Sequence, residues 1–477
     1  MFSKIRNYSK IIIIIIVVAM AVTGFVGYGT YLTNRPTGTD AGSPYIARVN
    51  RTNITRDDYN ALLRNRAAGI QQMIASQIVP FKLNVLNSII EKEVILQEAD
   101  RMGLKPQVTD QDVQDYIAQV LAANEMTEEE LSANLQTQGI TLAQLTADLK
   151  KGMEEENLIE QARDSSFSNI NVTEEEIINE YEKIDLKVIK KDQVAEADQA
   201  EQSINEALNQ LKAGTEFSEV AGQFSDLNTS GELGLIGRNN PYLPGEIVAQ
   251  AFELETGRLS EVISAGDAYY ILKVVDKQLA EGEEYENARE DIKERLLTAK
   301  QNEAFHNWLA NLKAEAGIVI NDPLLKGYNI LTQGNYGEAE KELTKALDIY
   351  PALTYIYLAE AYQGNDKIAE ATTLFEQTVA AAPENWEVYY HYGNFLAGLE
   401  GEQKALSVAK FDQAAELAGE NFTAHYLLYI GYSQLGEEEK AQQTMALLQE
   451  ISQRQLAEEE ATQPETEQAE ETTADAE

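Results

Sequence analysis

The side chains that most often do covalent or metal chemistry are scarce in this chain. Its 477 residues include no Cys, which excludes disulfides, thiolate metal sites, a thiol nucleophile and a lipid-modified Cys. The three His, His306, His391 and His425, fall on separate predicted helices without ligand spacing, so neither a metal nor a cofactor is expected. What remains is a run of spaced motifs between Leu211 and Asp276. It reads G-x-x-F-x-x-x-A-x-x-F-S from Gly214 to Ser225, then G-x-L-G from Gly231 to Gly234. A-F-x-L-x-x-G-x-L-S follows from Ala251 to Ser260, ahead of a strand that ends at Asp276. Phe217, Phe224 and Leu233 read as the core of an α/β fold, and Gly231 and Gly234 as turn residues.

This order of motifs resembles a parvulin-type peptidyl-prolyl isomerase domain. Such an enzyme lowers a barrier of about 20 kcal/mol by seating a proline ring in an apolar pocket while polar groups favour the twisted amide. The resemblance implies a His in the first strand, a His in the last strand, and a Cys or Asp in the loop after the Phe-Ser pair. On that alignment Lys187 of IDLKVIKK stands at the first His and Tyr270 of YYILKV at the second. Leu227 falls at the loop position, with Asp226 one place early in a loop shorter than the family's. The implied catalytic set is therefore Asp226, Tyr270 and Lys187, and all three positions depart from the family pattern. The implied substrate pocket is Leu227, Leu243, Ile247 and Phe252, of which Phe252 matches the family outright. The resemblance implies the fold together with weak or absent isomerase activity.

The elements that would carry this domain are helical. Residues 45–180 show an entry strand at Tyr45–Asn50 and then helical periodicity, with helix starts marked by Thr55, Thr109, Thr127 and Thr173, each followed by acidic residues. The phrases IARVNRTNITRDDYNALL and VLNSIIEKEVILQEADRMGL resemble the N-terminal helical chaperone domain of the SurA, PrsA and PpiD group. In that group the domain is split, and a helix after the isomerase insert returns to it; Tyr285–Ala316 is the candidate here. Ile70, Met73, Ile74, Ile78, Val79 and Phe81 are expected mainly as core, with an apolar groove for extended peptides as the alternative.

From Pro323 onward the sequence repeats. Leu343, Phe375 and Phe411 are equivalent, and the phrase around Pro383 and Trp386 recurs around Gly419 and Phe422. The spacing resembles tetratricopeptide repeats, three or so followed by a terminal helix, which implies a concave surface for a protein partner.

The charge of −41 disfavours nucleic acid. Lys4, Arg6 and Lys10 precede the uncharged run Ile11–Leu32, which reads as a retained membrane anchor with the N-terminus cytoplasmic, a cleaved signal peptide being the competing reading. The expected fold is multidomain and mainly α, a SurA-like helical domain and a tetratricopeptide solenoid with an inserted α/β parvulin-like domain. Its segments are a basic stretch (1–10), anchor (11–32), linker (33–44), helical chaperone domain (45–180), parvulin-like domain (181–278), return helix (279–322), repeats (323–452) and a disordered acidic tail (453–477). The leading expectation is a membrane-tethered, extracytoplasmic folding factor whose clients are unfolded or newly exported polypeptides. The alternatives are an active prolyl isomerase and an envelope assembly scaffold acting through the repeats.

Overall fold

The computed structural model describes residues 43–66, 73–137, 139–167, 169–193 and 197–462. The basic stretch, the Ile11–Leu32 run, nearly all of the linker, Ile70 and the tail from 463 onward lie outside the described residues. No helix among the described residues is long and apolar enough to cross a membrane. The fold is mainly helical and multidomain, with small antiparallel sheets. It divides into two compact units, Met1–Ile159 with Leu312–Glu477, and Glu160–Asn311. These units cut across the motif-based segments, because 160–180 and most of the return helix group with the parvulin-like part.

The first unit opens with the hairpin β1 (Tyr45–Val49) and β2 (Thr52–Thr55). Asn50 at its turn has φ of 54°, a left-handed conformation that Asn tolerates better than most residues. The helices α1 (Arg56–Asn65), α2 (Ala75–Arg101), α3 (Asp110–Ala123), α4 (Glu128–Thr137) and α5 (Leu142–Ser166) follow. Their threonine caps behave as the sequence suggests. Thr55 Oγ1 accepts from the Asp58 N–H, and Thr109 and Asp112 cap each other reciprocally. Thr141 and Gln144 form a further capping box that the sequence reading did not single out. Gly103, at φ 72°, stops the chain after α2.

The second unit contains α6 (Glu174–Tyr181), β3 (Lys183–Asp192), α7 (Ala197–Lys212), α8 (Phe217–Phe224), β4 (Glu232–Gly237), α9 (Gly245–Glu253), β5 (Ile263–Ala265), β6 (Ala268–Gln278) and most of α10 (Gly282–Glu315). Its sheet is antiparallel in the order β4-β3-β6-β5. Helix α6 lies on α10: Tyr181 and Tyr285 meet edge to face, and Arg289, Arg295 and Lys300 reach Glu174, Glu180 and Glu176. Hydrogen bonds from Arg289 and Tyr285 hold Glu174 down to about 2, and those from Lys300 and Thr173 do the same for Glu176.

The chain then re-enters the first unit. The strand β7 (Ile318–Ile320) pairs antiparallel with β1, giving the order β2-β1-β7. Helices α11 (Pro323–Leu331), α12 (Tyr336–Leu347), α13 (Pro351–Gly364), α14 (Ile368–Ala381), α15 (Trp386–Ala397), α16 (Glu402–Ala418), α17 (Phe422–Leu435) and α18 (Glu438–Thr462) complete it. Helix α18 runs past position 453, where the sequence suggested a disordered tail; its Gln, Leu, Ala and Glu residues are good helix formers, and Arg454 pairs with Glu420 and Glu450.

One core joins β1, β2, α1 and α2 to β7 and α11–α15. Ile74 and Val79 are buried and Phe81 packs against this core, so these groove candidates are structural. Two polar contacts pin the shared core. Asp322 caps α11 by accepting from the Leu324 and Leu325 N–H groups, and it also accepts from Arg56 and from the Tyr350 hydroxyl. Pro80 lies inside α2 and has no N–H to give the Ser76 carbonyl four residues back. The Tyr357 hydroxyl of α13 donates to that carbonyl instead, at 3.0 Å. Tyr357→Phe leaves Ser76 O without this donor, and the expected cost is about 1–2 kcal/mol in urea unfolding of the full chain. The same substitution in a Pro80→Ala background, where α2 regains its own bond, is expected to cost less than half as much.

His391 of α15 is buried with Nε2 unpartnered among the described residues, its ring between Tyr355 and Tyr390. Burial lowers its pKa to about 4. The native state thus holds His391 neutral while the unfolded chain binds a proton below about 6.5. Stability is expected to fall by about 3 kcal/mol as pH drops from 6.5 to 4. In urea unfolding across that window, His391→Phe should remove this component of the pH dependence.

Candidate functional site

The sheet of the second unit separates two apolar layers. Ile184, Leu186 and Val188 of β3 and Tyr270, Leu272 and Val274 of β6 face one way and pack against α9. Ile189 and Ile271 face the other way, onto α7 and α8. This is the period-two alternation of strands, and it decides which candidates share a face.

Tyr270 lies on the α9 face, paired across the strands with Lys190 and Ile263 and only 3% exposed. Burial raises its pKa, with Lys190 acting to lower it and Asp192 and Glu246 to raise it. Lys187 alternates with Leu186 and Val188, so it sits on the opposite face, where Nζ meets Glu232 at 2.9 Å. The two residues aligned with the family's histidines therefore do not converge.

Asp226 is placed by its own loop. Its N–H donates to Lys190 O, and Ser225 Oγ accepts from the Lys190 and Leu227 N–H groups. Both Asp226 carboxylate oxygens are engaged, one by Lys191 Nζ at 2.7 Å and the other by the Asp192 N–H at 2.8 Å. Partial burial alone would raise its pKa; the bonds from Lys191 and Asp192 outweigh that and lower it. The carboxylate is an ionised structural acceptor that fastens the loop to the end of β3.

The four pocket candidates do come together. Leu243, Ile247 and Phe252 belong to the same apolar cluster as Tyr270, and Leu227 packs against it. They do so as a filled layer: Ile247 is 0% exposed, and Leu243 and Phe252 are also buried.

Three groups that the sequence reading did not single out shape this end of the sheet. Lys190 sits beside Tyr270 and pairs with Asp192 at 2.7 Å. Arg238 lies over the Phe252 ring at 4.1 Å and bonds to Glu182, covering the far wall of the apolar layer. Lys190 and Asp192 carried a weak signal, a charged pair ending an apolar strand. Arg238 carried none, since its contact with Phe252 exists only in three dimensions.

Residues 1–159 match the SurA-like N-terminal domain, and residues 184–276 match the PPIC-type PPIASE domain. The chain therefore joins a SurA-like N-terminal domain to a parvulin domain of the PpiC type. It is 29% identical over 253 residues to Chaperone SurA of Chromobacterium violaceum, covering 49% of this chain and 57% of that protein. It is 24% identical over 232 residues to Foldase protein PrsA of Clostridium kluyveri, covering 46% and 68%. The chain thus spans just over half the length of its SurA relatives. Among solved structures, foldase protein PrsA from Streptococcus pneumoniae is 21% identical, the match covering 55% of this chain and 90% of that one with a TM-score of 0.25.

Because Ile247 is packed on all sides, Ile247→Ala is expected to destabilise the second unit by about 2–5 kcal/mol. Hydrogen exchange of the β3 amides in the full chain would report this as faster global opening.

Proposed function

We propose that the chain is a membrane-tethered, extracytoplasmic folding factor that holds unfolded or newly exported polypeptides, with its parvulin domain acting as a binding module. The observation that carries this reading is the pairing of a SurA-like domain with a PpiC-type domain whose aligned polar positions do not converge. Prolyl isomerisation needs a ring pocket and polar groups aimed at one amide. Here the pocket residues are packed, Lys187 is on the wrong face for Tyr270, and Asp226 is committed to the loop. The names of the relatives, chaperone and foldase, support the same direction.

Tethering rests on the sequence of Ile11–Leu32 and the basic residues before it. For the C-terminal helices we adopt the tetratricopeptide reading. In its support, the equivalent positions Leu343, Phe375 and Phe411 are all buried in the second helices of successive pairs. Gly393 and Gly431 lie so close to the Phe411 ring that a Cβ would meet it within 3 Å. A protein partner on this array is part of the proposal.

The test uses the full chain in two assays. It is expected to suppress aggregation of chemically unfolded citrate synthase at near-stoichiometric ratio. In NMR exchange on a short X-Pro peptide it is expected to leave isomerisation more than tenfold slower than an intact parvulin does. Failure to delay aggregation would overturn the folding-factor reading, and turnover within tenfold of an intact parvulin would replace the binding module with an enzyme.

A further inference from the structure

The small sheet of the first unit ends in a strand with one side open. In the β1–β7 ladder the Asn50 N–H bonds to Gly317 O and the Asn321 N–H bonds to Ile46 O. Residues 317, 319 and 321 therefore turn their backbone groups toward β1, and Ile318 and Ile320 turn theirs away. The Ile318 N–H is taken by the Ala316 carbonyl. The Ile320 N–H and the Ile318 and Ile320 carbonyls have no partner among the described residues. β7 is an edge of its sheet, so these groups form an unfilled half-ladder.

A cleft of about 640 Å³ lies along this strand, within the size range of ligand sites. Ile318, Val319 and Ile320 all line it. Successive strand side chains point to opposite faces, so three in a row can border one cleft only where it follows the strand edge. Asn87 of α2, Asn329 of α11 and Gln333 in the turn after α11 also line it. The two lysines at its rim are already paired, Lys313 with Glu91 and Lys326 with Glu342, so the cleft offers no free charge.

We infer that this cleft binds an extended, uncharged stretch of unfolded polypeptide as a fourth strand on β7. The open half-ladder supplies main-chain hydrogen bonds that do not depend on sequence. The three side-chain amides each offer a donor and an acceptor, which suits a peptide backbone and discriminates little among side chains. Val319, 39% exposed, supplies the apolar contact for alternate residues of the guest. The inference rests on the folding-factor reading and locates one client contact outside the parvulin domain.

The test titrates the full chain with a capped, uncharged peptide of alternating Thr and Val and follows single amides by TROSY NMR hydrogen exchange. Peptide binding is expected to slow exchange at the outward Ile320 amide at least tenfold and to leave the inward Val319 amide unchanged. Val319→Lys, on an exposed side chain, should weaken binding at least tenfold, and the milder double variant Asn329→Ala/Gln333→Ala should weaken it several-fold. Binding with no protection at Ile320, or equal affinity for Val319→Lys, overturns the inference. So does protection that appears without peptide and grows with protein concentration, which would make the occupant a second copy. If the wild-type chain ignores the peptide yet suppresses citrate synthase aggregation, the edge site fails and the folding-factor reading stands. If it does neither, both fall.

Discussion

The first unit depends on a pairing between strands about 270 residues apart in sequence. β1 finds β7 only after the chain has left, built the second unit and returned, and the closure is held by few groups. Asn50 is central to it. Its left-handed backbone turns the hairpin, its N–H bonds to Gly317 O, its Oδ1 accepts from the Gly317 N–H, and its Nδ2 reaches Gln97 on α2. A contact of such sequence separation carries a large loop-closure entropy in a bare chain. Prior folding of the inserted unit shortens the effective loop, which makes insertion of an independently cored α/β unit compatible with a split helical one.

The closure also explains why the C-terminal helices begin where they do. Asp322 follows β7 immediately, is buried, and is satisfied by two helix N–H groups, Arg56 and Tyr350. Each donor comes from an element brought there by the strand pairing or by the first helices of the array. Pro80 acts in the same sense. By freeing the Ser76 carbonyl it creates an acceptor that Tyr357 fills, coupling α2 to α13 through a defect in one helix. Helices α11–α15 therefore share a core with the N-terminal segment, while α16–α18 pack with α15 in a cluster of their own.

Much of this was legible in the sequence where the cause is local. Thr caps, the stop at Gly103, the entry strand and the helical stretches follow from propensity, turn chemistry and period, whereas the α/β insert was implied by the family resemblance. The spaced glycines and phenylalanines of 214–260 likewise marked the parvulin domain, because each fixes a turn or a core contact within a few residues of itself. The joint core of α2 with α11–α15 was not legible, since apolar stripes do not name their partners. The candidate site was legible only in part, for a related reason. Aligning Lys187 and Tyr270 to two family positions assumes a strand register, and a one-residue change in either strand reverses the face. The observed pairs, Lys187 with Lys273 and Lys190 with Tyr270, put them on opposite sides.

The same register bears on what the parvulin domain can do. An apolar layer filled by Leu243, Ile247, Phe252 and Tyr270 is favourable for the stability of the domain. Tyr270 contributes apolar area on the core side of the sheet. Committing Asp226 to Lys191 and to the Asp192 N–H fixes the loop that would otherwise present a polar group to a substrate. Each of these contacts ties a loop or strand side chain into the core of the domain.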